Sequence, residues 1–410
     1  MGLIALLVVY SYSAFYIFQT VLGLSNESTA LKLFTAGLAV LAIGIYWARV
    51  FRNRKICRWD IIAFAVVALL LVSAWYTRIH YNYSLPKFDS LMLSFGARGI
   101  PAVFIGITIA QCNQIKAMAK WVQPIMLLYT ICLFSVVMMN QTGSLADYRL
   151  YGIDRQLLSY SAAFAFGMNI YLMTNNISAS AGLIGSKKWK HINTLAVIPQ
   201  IYCVFAGGGR GAFLLTLVLL GYYIYRNRKV NLFTFSKLFL NLLLLFAILS
   251  LINLIGSAVP ISSGFDRIQT FFIGDNAFND INRATLYSTA WGSFIQKPII
   301  GHGIGSVAYE VGFSAHNIFL DLLVEGGIVV FMVFIGLLIT FFSKLRRLIN
   351  LDRTNSLVII IFMSSFIMLL FSGSYLADGG IWFSVAYVLM AAAMNRRASI
   401  NNPKAETPLR

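Results

Sequence analysis

Gly326-Gly327-Ile328-Val329-Val330-Phe331-Met332-Val333-Phe334-Ile335-Gly336-Leu337-Leu338-Ile339-Thr340-Phe341-Phe342-Ser343 is an uncharged run that ends in Lys344-Leu345-Arg346-Arg347. A helix needs about 20 such residues to cross a bilayer. The basic cluster behind the run marks a cytoplasmic end. Working outward, eleven more apolar runs lie at about 3–22, 30–50, 60–77, 89–110, 121–140, 157–175, 192–208, 210–225, 232–256, 357–373 and 380–394. Apolar residues make up 59% of the chain and charged residues 11%, with a mean hydropathy of +0.77. A soluble domain is roughly 45–50% apolar and about 25% charged, so a soluble enzyme, a disordered chain and a disulfide scaffold are excluded. The fold expected is an all-α polytopic membrane protein of about twelve transmembrane helices.

The net charge of +18 is a topology signal and not a nucleic-acid one, because the basic residues sit in short loops between apolar runs. Of 32 Lys and Arg, 22 fall after even-numbered runs, for example Arg52, Arg54 and Lys55, or Lys187, Lys188 and Lys190. That asymmetry puts both termini in the cytoplasm. Residues 1–394 read as one transmembrane domain, with a large outer loop over 257–325 carrying short helices. Residues 395–410, with Pro403 and Pro408, read as a disordered cytoplasmic tail. Cys57, Cys112, Cys132 and Cys203 match no metal or disulfide spacing. No internal repeat is visible, which argues against an inverted-repeat transporter.

Four outer stretches carry candidate chemistry. Gly207-Gly208-Gly209-Arg210-Gly211 joins two runs almost without a loop. Glycine allows a tight turn, and N–H groups beside a guanidinium suit a pyrophosphate. The alternative is an arginine snorkelling from a helix end. Residues 282–296 read as an amphipathic helix capped by Asp280, with Arg283 in the first turn. A cation is disfavoured there unless an anion answers it; the alternative is an exposed interfacial arginine. Lys297-Pro298-Ile299-Ile300-Gly301-His302-Gly303-Ile304-Gly305 reads as a loop that positions neighbouring helices, with His302 solvated. Its glycine spacing is no nucleotide site, since no strand-to-helix unit surrounds it.

The fourth stretch is Ser314-Ala315-His316-Asn317, leading into a helix that the glycine pair 326–327 stops or kinks. A histidine at such a start is neutral near pH 7 and can act as a base; the alternative is a histidine capping a helix. Asp321 and Glu325 share one helix face and point well away from His316, so they do not orient its imidazole directly. Two lesser candidates remain. Arg98, inside the run 89–110, is either functional or paired with an acid such as Asp378. Residues 147–155, rich in aromatic and polar groups, suit carbohydrate.

This ordered set resembles the bacterial O-antigen polymerase and O-antigen ligase superfamily over its shared C-terminal region, about residues 190–345. The elements are Gly209-Arg210-Gly211-Ala212, Arg283 with Trp291, the Lys297–Gly305 stretch, His316-Asn317 and Glu325-Gly326. One departure is Gly209, where the family often has serine. The resemblance implies an inner-membrane glycosyltransferase whose active site faces the periplasm. Its donor is a glycan on undecaprenyl pyrophosphate, and it needs no metal, nucleotide or other cofactor. Arg210, Arg283 and His316 are the implied catalytic residues, the arginines on the phosphates and the histidine as base or acceptor-orienting group. Arg98, Gly209, Gly211 and Asn317 are the implied substrate-binding residues. Partners expected are the lipid-linked donor, a lipid-linked repeat unit or lipid A–core as acceptor, membrane lipids and a chain-length regulator. Polymerisation of repeat units is the leading expectation, ligation to lipid A–core the alternative, and a lipid-linked oligosaccharide flippase the third.

Overall fold

The computed structural model describes residues 1–10, 29–54, 56–139, 149–150, 153–175, 187–226, 281–312 and 314–401. The apolar run 232–256, most of 3–22, residues 257–280 of the outer loop with Asp280, and residues 147–148 and 151–152 lie outside these. In chain order the helices are α1 (Thr29–Asn53), α2 (Arg58–His80), α3 (Pro86–Ser94), α4 (Ile100–Gln111), α5 (Ile115–Ala119) and α6 (Val122–Met139). A two-stranded antiparallel hairpin follows, β1 (Arg149–Leu150) and β2 (Ile153–Asp154), which the sequence reading did not anticipate. Then come α7 (Arg155–Asn175), α8 (Lys187–Gly207), α9 (Arg210–Arg226), α10 (Ile281–Gln296), α11 (Val307–Glu310), α12 (Ile318–Leu351), α13 (Ser356–Leu369) and α14 (Gly379–Asn401). The described chain is thus helical apart from that hairpin. Among the described residues six segments are long and apolar enough to span a membrane: Lys32–Asn53, Arg58–His80, Pro86–Gln111, Ile115–Met138, Gln156–Asn175 and Ile318–Leu351. Helix α14 continues to Asn401, into the stretch read as a polar tail.

The chain divides into two compact units. The first comprises Met1–Ser11, Leu33–Ala119 and Ile281–Arg410. Its spine is α4 packed along α14. Gly106 permits this approach, since a Cβ there would stand 2.8 Å from the Phe383 carbonyl oxygen. Small residues are how membrane helices bring their backbones close. Between α3 and α4 the helix widens into a π-turn over Phe95–Gly99, which carries Arg98. Such turns are frequent at functional sites. Helices α12 and α13 meet through stacked rings, Phe341 on Phe362 at 4.2 Å, and Phe362 stacks in turn on Phe366 of its own helix at 5.5 Å.

The decisive local feature of this unit is a break in α12. Gly327 adopts φ 60° and ψ −163°, which interrupts the helical ladder. In hydrocarbon each backbone group left without a partner costs several kcal/mol. The segment 297–305 supplies the partners. The His302 and Gly303 N–H groups donate to the Val324 and Glu325 carbonyls at 2.9 and 2.8 Å. The Ile328 and Val329 N–H groups donate to the Pro298 and Ile299 carbonyls at 2.8 and 3.3 Å. Glycines are required at this crossing. Gly301, Gly303 and Gly305 all have positive φ, and a Cβ on Gly301 would lie 2.5 Å from the Glu325 carbonyl. The expected helix-positioning loop is therefore a backbone strap across a broken helix.

The second unit comprises Tyr12–Lys32 and Lys120–Asp280. Helix α7 packs against α6, α8 and α9. Its interior holds an amide network: Asn169 donates to the Gln200 Oε1 at 3.1 Å, and Gln200 donates to Thr130 Oγ1 at 2.9 Å. Buried side-chain hydrogen bonds of this kind hold membrane helices together.

Candidate functional site

In the first unit, the turn before α12 is built to present His316. Asn317 caps the helix, its Oδ1 accepting the Phe319 N–H at 3.0 Å. His316 itself sits at φ 55°, a left-handed conformation that costs a non-glycine residue of order 1–3 kcal/mol. That conformation is fixed by its neighbours. Ser314 Oγ accepts the His316 N–H at 3.0 Å. Asp321, buried in the first turn of α12, accepts from Ser314 Oγ at 2.7 Å and from the Ala315 N–H at 2.8 Å. A carboxylate in a helix's first turn also answers the helix dipole. The expectation that Asp321 and Glu325 do not orient the imidazole directly agrees with this. Asp321 grips the preceding turn, and Glu325 accepts from the Tyr375 hydroxyl.

The His316 Nδ1 is buried and has no hydrogen-bond partner among the described residues. Burial, and then the positive charge of Arg283, hold the imidazole pKa below its ordinary value. Both effects favour the neutral form of the ring. Arg283 lies in the first turn of α10, as expected, and donates to the Phe371 carbonyl at 3.4 Å. Ser314 Oγ also lies 3.1 Å from the Gly373 carbonyl. The segment after α13 therefore contacts both the arginine and the histidine turn. Its next residues bind Glu325 through Tyr375, and the Tyr375 carbonyl accepts the Trp382 indole N–H at 2.8 Å. Arg98 belongs to the same unit, and its charge reaches Asp378, whose carboxyl burial pushes upward. That supports the paired alternative for Arg98.

One expectation is overturned in this unit. His302 is not solvated: it is 5% exposed, its Nε2 is 2.9 Å from the Ser293 carbonyl, and its Nδ1 faces Glu310 at 3.5 Å. The cause is the strap, which draws residue 302 against the helix break and under α10. Among the described residues no group of three or more His, Cys, Asp or Glu can hold a metal ion.

In the second unit, α8 ends at Gly207 and α9 begins at Arg210. Gly208 turns the chain at φ 63°. The Gly209 N–H donates to Ser159 Oγ at 3.1 Å, and that hydroxyl lies 3.3 Å from the Val204 carbonyl. Arg210 is half-buried at the start of α9, and Gly211 is buried behind it.

Residues 195–335 match the family described as O-antigen ligase. The match agrees with the resemblance of this region to the O-antigen polymerase and ligase superfamily. No curated protein matches the chain. The O-antigen ligase match takes in the Gly208–Gly211 turn, Arg283, the strap, His316, Asn317 and the break in α12. Arg98, Ser159, Phe371 and Tyr375 fall outside it. The structure also gives the Gly209 departure a physical setting. A Cβ at residue 209 would stand 2.8 Å from the Ser159 Cβ, and the Ser159 hydroxyl on α7 receives the Gly209 N–H. Sequence reading missed Ser159 and the Phe371–Tyr375 segment, because neither is near its partners in the chain. Ser314 was inside the quoted motif, and its closeness to a histidine before a helix start was the available signal.

Proposed function

We propose that this chain is an inner-membrane glycosyltransferase acting on a glycan linked to undecaprenyl pyrophosphate, with its site facing the periplasm. The observation that carries the reading is His316: a neutral, buried imidazole with an unengaged Nδ1 among the described residues, held in a strained turn beside Arg283. In the reaction, the acceptor hydroxyl attacks the anomeric carbon of the donor and gives its proton to His316. The bond from that carbon to the pyrophosphate oxygen breaks, with inversion, and the lipid pyrophosphate leaves. Arg283 answers the charge that develops on the leaving group, the kind of preorganised electrostatics that usually dominates such catalysis. Arg210, at the glycine turn of the second unit, is a phosphate-binding residue for the same donor class. Gly209 and Gly211 allow close approach there. Arg98 and Asn317 remain substrate-binding candidates, the latter through the amide nitrogen its capping role leaves available.

The full topology in this reading is twelve spans with both termini in the cytoplasm. The product is a lengthened lipid-linked polysaccharide, the chain being a polymerase of repeat units. Ligation to lipid A–core is the second reading, and the description of the matched family favours it. The lipopolysaccharide ladder of a deletion strain separates them. Core plus a single repeat unit identifies a polymerase; bare core with accumulating long lipid-linked chains identifies a ligase. Complementation with His316→Ala or Arg283→Ala, at wild-type protein levels, should leave either defect in place. A full ladder from both variants would refute the site.

A further inference from the structure

We infer that Asp321 is the positioning residue for His316, setting the backbone turn that presents the imidazole without touching the ring. The inference rests on His316 acting as the base. Asp321 is 1% exposed and spends both carboxylate oxygens on the turn, one on the Ser314 hydroxyl at 2.7 Å and one on the Ala315 N–H at 2.8 Å. The Ser314 oxygen in turn receives the His316 N–H at 3.0 Å. Carboxylate, hydroxyl and amide thus form a closed path that ends on the residue at φ 55°. A histidine does not hold that conformation by preference, so the path is what selects it. The hydroxyl has one proton and two acceptors in reach, Asp321 and the Gly373 carbonyl. Burial pushes the Asp321 carboxyl up to about 7, the hydrogen bonds from Ser314 and Ala315 pull it back toward the carboxylate, and in that form it takes the proton, since charge-assisted hydrogen bonds are the stronger ones. Without Asp321 the Ser314 proton is free to turn toward Gly373, and the Ala315 N–H loses its acceptor. The turn then relaxes and water reaches the ring.

The test uses the full chain in membranes of the deletion strain, with lipid-linked glycan extracted from that strain as donor and its own acceptor. Asp321→Asn and the milder Ser314→Ala should each lower kcat about 10–100-fold, the cost of a small misplacement of a catalytic group. The donor KM should stay within about twofold, since the turn does not bind the donor. The pH profile supplies the readout that a folding defect would not move. Burial holds the His316 pKa down, so a hydrated ring titrates higher, and the acid limb of kcat should move to higher pH in both variants. In a His316→Ala background, Asp321→Asn should cost nothing more. Wild-type kcat and pH profile in both single variants, with His316→Ala inactive, would overturn the inference while leaving the proposed function standing. So would a lower kcat with an unmoved acid limb and a further loss in the double variant, which would make Asp321 a folding residue only. Full activity in His316→Ala would instead remove the base itself, and this inference with it.

Discussion

Two glycine pairs interrupt apolar helical sequence in this chain, and they are bridged by different means. At Gly326-Gly327 the gap in α12 is closed by backbone, with the strap's N–H and carbonyl groups replacing the lost ladder. At Gly208-Gly209, between α8 and α9, a side chain does the work, the Ser159 hydroxyl receiving the Gly209 N–H. A hydroxyl can be removed by one substitution, whereas a backbone strap can only be obstructed. The first break should therefore resist loss of side chains and fail when a Cβ is added. The second should be sensitive to both. The difference matches the chemistry assigned to each. A base needs its ring held in one orientation, while an arginine meets a pyrophosphate mainly through charge.

The largest expected effect sharpens that division of labour. His316→Ala should cut kcat about 10²–10⁴-fold, the usual contribution of a positioned general base. Arg210→Ala should cost about 10²–10³-fold, as removal of one charge-stabilising donor does. Transfer assays in membranes with extracted lipid-linked donor check both, and equal pH profiles for the two variants would erase the distinction.

Obstruction of the strap comes next. A Cβ on Gly327 would stand 2.4 Å from the Ile299 carbonyl oxygen on a backbone at φ 60°. Gly327→Ala should therefore destabilise the fold by about 2–5 kcal/mol, from backbone strain and overpacking together. Thermal unfolding in detergent measures it. At the other break, Gly209→Ala should cost about 1–3 kcal/mol by overpacking against Ser159, and Ser159→Ala about 1–3 kcal/mol by leaving the buried Gly209 N–H without its acceptor. An unchanged stability in Ser159→Ala would mean that the space, and not the hydroxyl, is what the turn needs.

The smallest effect is electrostatic. Arg283 helps hold the His316 pKa down, so Arg283→Gln should raise it and move the acid limb of kcat to higher pH, by less than about one unit for a secondary contributor. The sign is fixed: removing a neighbouring cation eases protonation of the imidazole.

The features legible in the sequence were those set by neighbours along the chain. The apolar runs, the amphipathic helix from Ile281 to Gln296, the tight turn before Arg210 and the kink at the glycine pair all depend on local periodicity or on glycine. What escaped depends on pairings across distance. The strap's bond from His302 to Val324 cannot be seen in a hydropathy pattern, so a loop histidine looked solvated when it is buried. Ser159 is fifty residues from the Gly209 N–H it serves. Helical geometry correctly separated Asp321 from the imidazole, but only the folded turn revealed that the same carboxylate grips Ser314 and Ala315.

The most direct test of the central claim is the pH dependence of kcat for wild type and His316→Ala, measured from about pH 4.5 to 8 in membranes with extracted donor. The wild type should show an acid limb whose midpoint lies below the ordinary histidine value, and the residual activity of the variant should lack that limb. The same limb persisting in His316→Ala would assign the titrating base to another residue and contradict the account.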